Sequence, residues 1–361
     1  MSSVYGVVLA GGKGERFWPL STSKQPKQFL RLISDKMMLE ETIDRVLPII
    51  PRENFRIVTS DSMADLIVKS VEGIGPEHVL GEPDGRNTCL AIGLAAIHIQ
   101  KEDAGSVLVV LSADHLIRPP ERLRELLQTG IDIASREDKL ITMGIVPTRP
   151  ETAYGYVRLG EMYKNGESTS VFEVLAFTEK PRAEVAHEYY FSGGYLWNSG
   201  MFIWSAKSIL KAIKGCQPEL SELLTEYDSS IGTKDEKKAR KKLYKEAKSI
   251  SIDVAVLENA KNVLSIKADI VWDDIGSWNS LDRYKEHDSD NNISVGNTIS
   301  MGSYETTMYN TTDGLIACLG VSDLVVVRTD DVTLVVHKTQ TDQIKDLLLM
   351  LEQDEKNKKL L

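Results

Sequence analysis

Cysteine is scarce in this chain of 361 residues: Cys89, Cys216 and Cys318 stand far apart, without the paired spacing of a zinc site or the density of a disulfide scaffold. A surplus of basic residues is also missing. With 43 Lys and Arg against 53 Asp and Glu the formal charge is −10, and a general nucleic-acid binder needs the opposite sign. No apolar window is long enough to span a bilayer, and no basic segment with a leader-length apolar run opens the chain. The expectation is a cytoplasmic protein with neither nucleic acid nor membrane as partner. Generic nucleotide signatures are absent as well. Lys13 is followed by Gly14 where a Walker A loop needs Ser or Thr, and Phe17 stands where a dinucleotide fingerprint needs its third glycine.

What is present is an ordinary globular composition, 42% apolar and 27% charged, in a chain long enough for one large core and a smaller appendage. Its most distinctive stretch is Tyr5 to Leu30, YGVVLAGGKGERFWPLSTSKQPKQFL. A short apolar run breaks at Gly11, Gly12 and Gly14, as a buried strand does when it enters a tight loop. Glycines let backbone N–H groups approach an anion, and Lys13, Arg16 and Lys27 add three cations in a short span. An ordinary strand-to-helix turn explains the glycines alone; the cations favour a polyphosphate.

Further along, Lys36 to Ile50 has helical spacing, Phe55 to Thr59 reads as a strand, and Asp61 to Ser70 reads as a helix, the opening of a doubly wound α/β sheet. Ligands of such sheets sit beyond the carboxyl ends of the strands. The turn-rich Gly81 to Thr88 places Glu82 and Asn87 ahead of an apolar helix that Thr88 is suited to cap. A carboxylate there suits the N1–H and exocyclic amine of guanine; a surface pair with Arg86 is the alternative. The strand Val107 to Leu111 ends in Ser112-Ala-Asp-His115, so Asp114 stands where a carboxylate can hold Mg²⁺ against phosphate oxygens or cap the next helix. Gly155 permits close approach to the backbone. Phe177 to Pro181 ends a strand, with Pro181 expected in the first turn of a helix, and Asn198 follows in Trp197-Asn-Ser-Gly. Lys234 to Lys248 reads as an exposed basic helix, with Leu243 and Tyr244 its main apolar residues, and Ser251 to Val254 opens another. From about Asp290 short strands alternate with glycines, a small β-helix-like module closed by a helix from Asp342 to Glu352.

LAGGKGERFWPLS followed by PKQFL resembles the N-terminal signature of the sugar-phosphate nucleotidyltransferases, and the version with Trp18 and Phe29 is similar to the mannose-1-phosphate guanylyltransferase branch. The resemblance covers about the first 280 residues and, more loosely, the β module. It implies a Rossmann-like α/β catalytic domain over residues 1–288 and a C-terminal β module over 289–361. It also implies GTP and mannose 1-phosphate as substrates, Mg²⁺ as cofactor and a possible homodimer. In nucleotide binding it assigns Leu9, Gly11, Gly12, Lys13, Glu82, Asn87 and Asp114, with Arg16 and Lys27 on the phosphates. The sugar phosphate falls to Gly155, Glu179, Lys180 and Asn198, and the metal to Asp114 and Asp274, with Asp273 as the alternative ligand. Cys89 and Leu90 depart from the pattern at the helix entry, where a small residue and proline are usual. A nucleotidyltransferase for another sugar or base shares the phosphate machinery, and a silent sugar-nucleotide-binding regulatory subunit is the alternative of a different class.

Overall fold

The computed structural model describes residues 3–165 and 169–361. They form two compact units that are not contiguous in sequence. One comprises the chain up to Gly11, Thr42–Ala113 and Ile117–Trp272; the other comprises Gly12–Glu41, Asp114–Leu116 and Asp273–Leu361.

The first unit is built on a nine-stranded sheet. The apolar runs Val4–Leu9, Phe55–Ser60, Val79–Glu82 and Val107–Ser112 become its parallel strands, with Leu9 beside both Val58 and Ser112. Parallel strands buried on both faces need near-continuous apolar sequence, which Val4–Leu9 and Val107–Ser112 supply at the centre of this parallel set. The strand Tyr195–Ser205 then inserts antiparallel between Val107–Ser112 and Leu140–Ile145, making the sheet mixed. Helix Asn87–Glu102, apolar on nearly every side, is buried: Leu90, Ile92, Leu94 and Ile99 have no exposed surface. Each such side chain contributes about 1.5–3 kcal/mol by burial.

Several local expectations change in detail. Thr88 does not cap that helix; its hydroxyl accepts the Ile252 N–H at 2.9 Å, while the Cys89 N–H donates to the Ile250 carbonyl. Pro181 precedes rather than opens the next helix, which runs Ala183–Ser192. The basic helix Glu236–Glu246 buries Leu243 and Tyr244 completely enough that one face is core. Ser251 leads into a π-helical turn, Asp253–Leu257, a geometry that recurs at functional sites.

In the second unit the short strands stack in parallel. Ile293–Val295, Thr307–Asn310 and Leu324–Arg328 form one face, Thr298–Met301 and Ile316–Leu319 another, as in a β-helix, and Thr333–His337 closes the first face antiparallel. The corner at Gly296 has φ 77°, and a Cβ there would lie 2.1 Å from the Asn310 carbonyl oxygen, so only glycine fits. The terminal helix is Ile344–Glu352. The core of this unit joins Phe17, Trp18, Leu30 and Leu32 to Trp278, Tyr309, Val325, Leu334 and Ile344. Among the described residues no helix is long and apolar enough to cross a membrane.

Candidate active site

In the second unit the segment Gly12–Glu41 folds back on itself around Lys27. Gly14 has φ 66°, and a Cβ there would stand 2.3 Å from the Lys27 Cβ, so glycine is what lets the loop close over the lysine. Trp18 is clamped from both sides: its carbonyl accepts the Trp278 indole N–H at 3.1 Å, and its own indole N–H donates to the Leu360 carbonyl at 2.9 Å.

Lys27 is nearly buried and donates to the Asp114 Oδ2 and to the backbone carbonyl of Asp274, both at 2.7 Å. An ammonium has three donors, so one remains for an anion. Burial would raise the pKa of Asp114, but Lys27 and His115 outweigh it and hold the carboxyl below its ordinary value, hence ionised. Lys27, Asp114 and Asp274 line a cavity of about 460 Å³ together with Lys13, Arg16 and Lys345. Asp273 faces elsewhere. Its Oδ1 accepts the Ile275 N–H at 2.8 Å and an Arg283 N–H at 2.7 Å, and its Oδ2 accepts the Arg283 Nε. The neighbouring Ile275 is buried at φ 45°, an unfavourable conformation for a β-branched residue that the Asp273 bridge holds in place. One aspartate therefore fixes the turn and the next faces the cavity.

The first unit carries two further clusters. Glu82 is buried at the end of its strand; its Oε1 accepts the Tyr244 hydroxyl at 3.0 Å, and its Oε2 lies 3.5 Å from where a Cβ on Gly11 would be. Burial pushes the Glu82 carboxyl up to about 7, opposed in part by the Tyr244 hydrogen bond. The surface pair with Arg86 does not form. Arg86 bonds the Tyr244 carbonyl at 2.7 Å and Asp84 at 3.1 Å. Asn87 is exposed at φ 63°, its side-chain oxygen accepting the Thr88 N–H, and the Leu9 carbonyl accepts from Ala113.

In the second cluster the Asn198 amide donates to the Asp253 Oδ1 at 2.8 Å and accepts from the Thr142 hydroxyl at 2.7 Å, while its backbone N–H meets the Gly155 carbonyl. A Cβ on Gly155 would come within 2.7 Å of the Glu179 Oε2, so this glycine makes room for the carboxylate. Glu179 pairs with the largely exposed Lys180 at 2.8 Å, and Lys180 itself is held at φ 44°. Burial, and then the charge of Glu179, raise Asp253 to about 6. Sequence reasoning named neither Tyr244, Asp253 nor Lys345 for the site; the Ser-Ile-Asp ahead of an apolar run was the one local sign of Asp253.

A family model described as nucleotidyl transferase matches residues 5–291, and one described as MannoseP isomerase/GMP-like beta-helix domain matches residues 296–351. The chain belongs to the nucleotidyl transferase family. Among the relatives of this nucleotidyltransferase, a mannose-1-phosphate guanylyltransferase of Escherichia coli K12 is 34% identical over 363 residues, 98% of this chain and 74% of its own length. The xanthan biosynthesis protein XanB of Xanthomonas campestris is likewise 34% identical over 360 residues, again 98% of this chain and 74% of the relative. A crystal structure described as a mannose-1-phosphate geranyltransferase from Thermus thermophilus superposes with a TM-score of 0.86 at 33% identity, covering 97% of this chain and 99% of that one.

Nucleotidyltransferases use a divalent metal, and the donor set here suits a hard one. Asp114 and Asp274 bring carboxylate oxygens to one cavity, and among the described residues no three His, Cys, Asp or Glu gather as a protein cage. A small hard cation that takes one or two carboxylates and completes its shell with water and substrate phosphate needs no more than this.

Proposed function

We propose that this nucleotidyltransferase makes GDP-mannose and pyrophosphate from GTP and mannose 1-phosphate. The observation that carries the reading is the ion pair of Asp114 with a nearly buried Lys27, in a cavity that further cations and the carboxylates of Asp274 and Glu15 share. Such a cavity suits a polyphosphate and a metal rather than a neutral ligand.

The reaction needs no side-chain nucleophile. A phosphate oxygen of mannose 1-phosphate attacks the α-phosphorus of GTP, one P–O bond forms, the α–β bridging bond breaks, and pyrophosphate leaves. Alignment and charge neutralisation are the protein's share. Gly11, Gly12 and Lys13 approach the triphosphate, Arg16 and Lys27 steady its β- and γ-phosphates, and Lys180 receives the attacking phosphate. Glu179, Asn198 and the Gly155 backbone take the sugar hydroxyls. Asp114 and Asp274 hold Mg²⁺, which when bound neutralises charge on the reacting phosphates. Leu9, Asn87 and Glu82 serve the base, with Tyr244 fixing the Glu82 carboxyl.

Discrimination for guanine rests on the ionised form of Glu82, which accepts two guanine donors while keeping the Tyr244 hydroxyl. Because its pKa is near 7, the KM for GTP is expected to fall as pH rises from about 6 to about 8. Glu82→Gln should abolish that dependence and narrow the preference for GTP over ATP by about tenfold or more. Steady-state kinetics across this pH range check both; an unchanged base preference removes Glu82 from the guanine site.

Pyrophosphate release, measured with each nucleoside triphosphate against mannose and glucose 1-phosphates, tests the whole reading. GTP with mannose 1-phosphate should be the fastest combination. Faster turnover of UTP or of glucose 1-phosphate would overturn it.

A further inference from the structure

The cavity around Lys27 also receives a residue from far along the chain. Lys345 stands in the first turn of the terminal helix Ile344–Glu352 and lines the same cavity as Lys13, Arg16 and Lys27. Its place is fixed by its neighbours. Ile344 is buried in the core that holds Phe17 and Trp18, and three residues before Lys345 the Asp342 Oδ1 lies 3.4 Å from the Arg16 Nε. The chain end is fastened to the same segment, through Trp18 to the Leu360 carbonyl and Ser23 to the Leu361 carbonyl at 2.8 Å.

Charge gives Lys345 its significance. Without it, the cavity lining sets three cations, Lys13, Arg16 and Lys27, against three carboxylates, Glu15, Asp114 and Asp274. All three of those cations are moreover already paired with carboxylates, Lys27 with Asp114 at 2.7 Å, Arg16 with Asp342 at 3.4 Å and Lys13 with Glu15 at 4.0 Å. A lining of balanced charge has little net attraction for an anion. Lys345 supplies the surplus, on a flexible stem that lets a compact cation follow a phosphate as it departs.

We propose that Lys345 of the C-terminal module is a phosphate-binding residue of the nucleotide site, contacting the β- and γ-phosphates that leave as pyrophosphate. This rests on the reading of the chain as a GTP-consuming nucleotidyltransferase. The β-helix module is on this account a working part of the site through one side chain.

Calorimetric titration of the full chain with inorganic pyrophosphate and separately with GTP, in excess Mg²⁺, tests the proposal in the wild type, Lys345→Ala and Lys345→Arg. Lys345→Ala should weaken pyrophosphate by about tenfold, the scale of one charge-assisted contact, and GTP by a similar factor. Lys345→Arg should stay within about threefold of the wild type because it keeps the charge. The ligand-free thermal midpoint should be common to all three. Wild-type affinity in Lys345→Ala overturns the proposal; so does equal loss in both variants accompanied by a lower midpoint, since that marks a packing role. A wild type that binds no GTP overturns instead the reading on which the proposal rests, and this inference with it.

Discussion

Asp274→Asn should lower kcat on the order of 100-fold or more while leaving the fold intact, the scale expected when a preorganised charge on the reacting phosphates is lost. Lys27 bonds the backbone carbonyl of Asp274, so the substitution keeps that contact. Asp114→Asn should cost as much activity but also some stability, on the order of 1–3 kcal/mol, because it removes the carboxylate that pairs with the nearly buried Lys27 ammonium. The double variant should be little slower than either single one, since two groups that hold one ion act as a unit. Single-turnover rates with the three proteins measure this directly. Multiplicative losses, or full wild-type activity in excess chelator, would end the shared-metal account.

Lys180→Ala should reduce kcat/KM for mannose 1-phosphate by about 100-fold while GTP affinity, measured alone, stays within about twofold. The lysine is largely exposed and its ion pair is with the neighbouring Glu179, so little stability rests on it. Its effect would come from locating the attacking phosphate and offsetting repulsion from the triphosphate. Lys180→Arg should recover part of the loss, because charge returns without the compact geometry. Equal losses for both ligands would make Lys180 a structural residue, its φ of 44° being then a feature of the turn alone.

How far the chain could be read in advance depended on how local each determinant is. The strand Val4–Leu9, the glycine break after it and Asp114 two residues past Val107–Ser112 are legible because apolar runs and turn residues act over a few positions. The insertion of Tyr195–Ser205 into the middle of the sheet was not, because strand order is decided by pairing between segments far apart in the chain, such as Val107 with Ser205 and Ile145 with Trp197. Tyr244 was hidden by its surroundings: a helix of repeated lysines reads as solvated, yet its hydroxyl reaches Glu82, 162 positions away. Asp253 sits in a π-helical turn that 3.6-residue periodicity does not describe. Lys345 carried no local signal at all, since only the folded chain brings it to the cavity of Lys27. Asp273 and Asp274, adjacent and chemically identical, were separable only once Arg283 and the Ile275 N–H were seen to occupy the first of them.

The joint core of the loop and the β-helix has a consequence for module exchange. A chimera that takes its C-terminal portion from another protein, cut near residue 288, would keep Phe17, Trp18, Leu30 and Leu32 but discard Tyr309, Val325, Leu334 and Ile344, the side chains they are buried with. Buried aromatic and aliphatic positions tolerate new neighbours only when volume and shape are matched. The exchangeable part is therefore a spatial one, residues 12–41 travelling with 273–361, and substitutions in the phosphate loop and in the terminal module are expected to accumulate as matched sets.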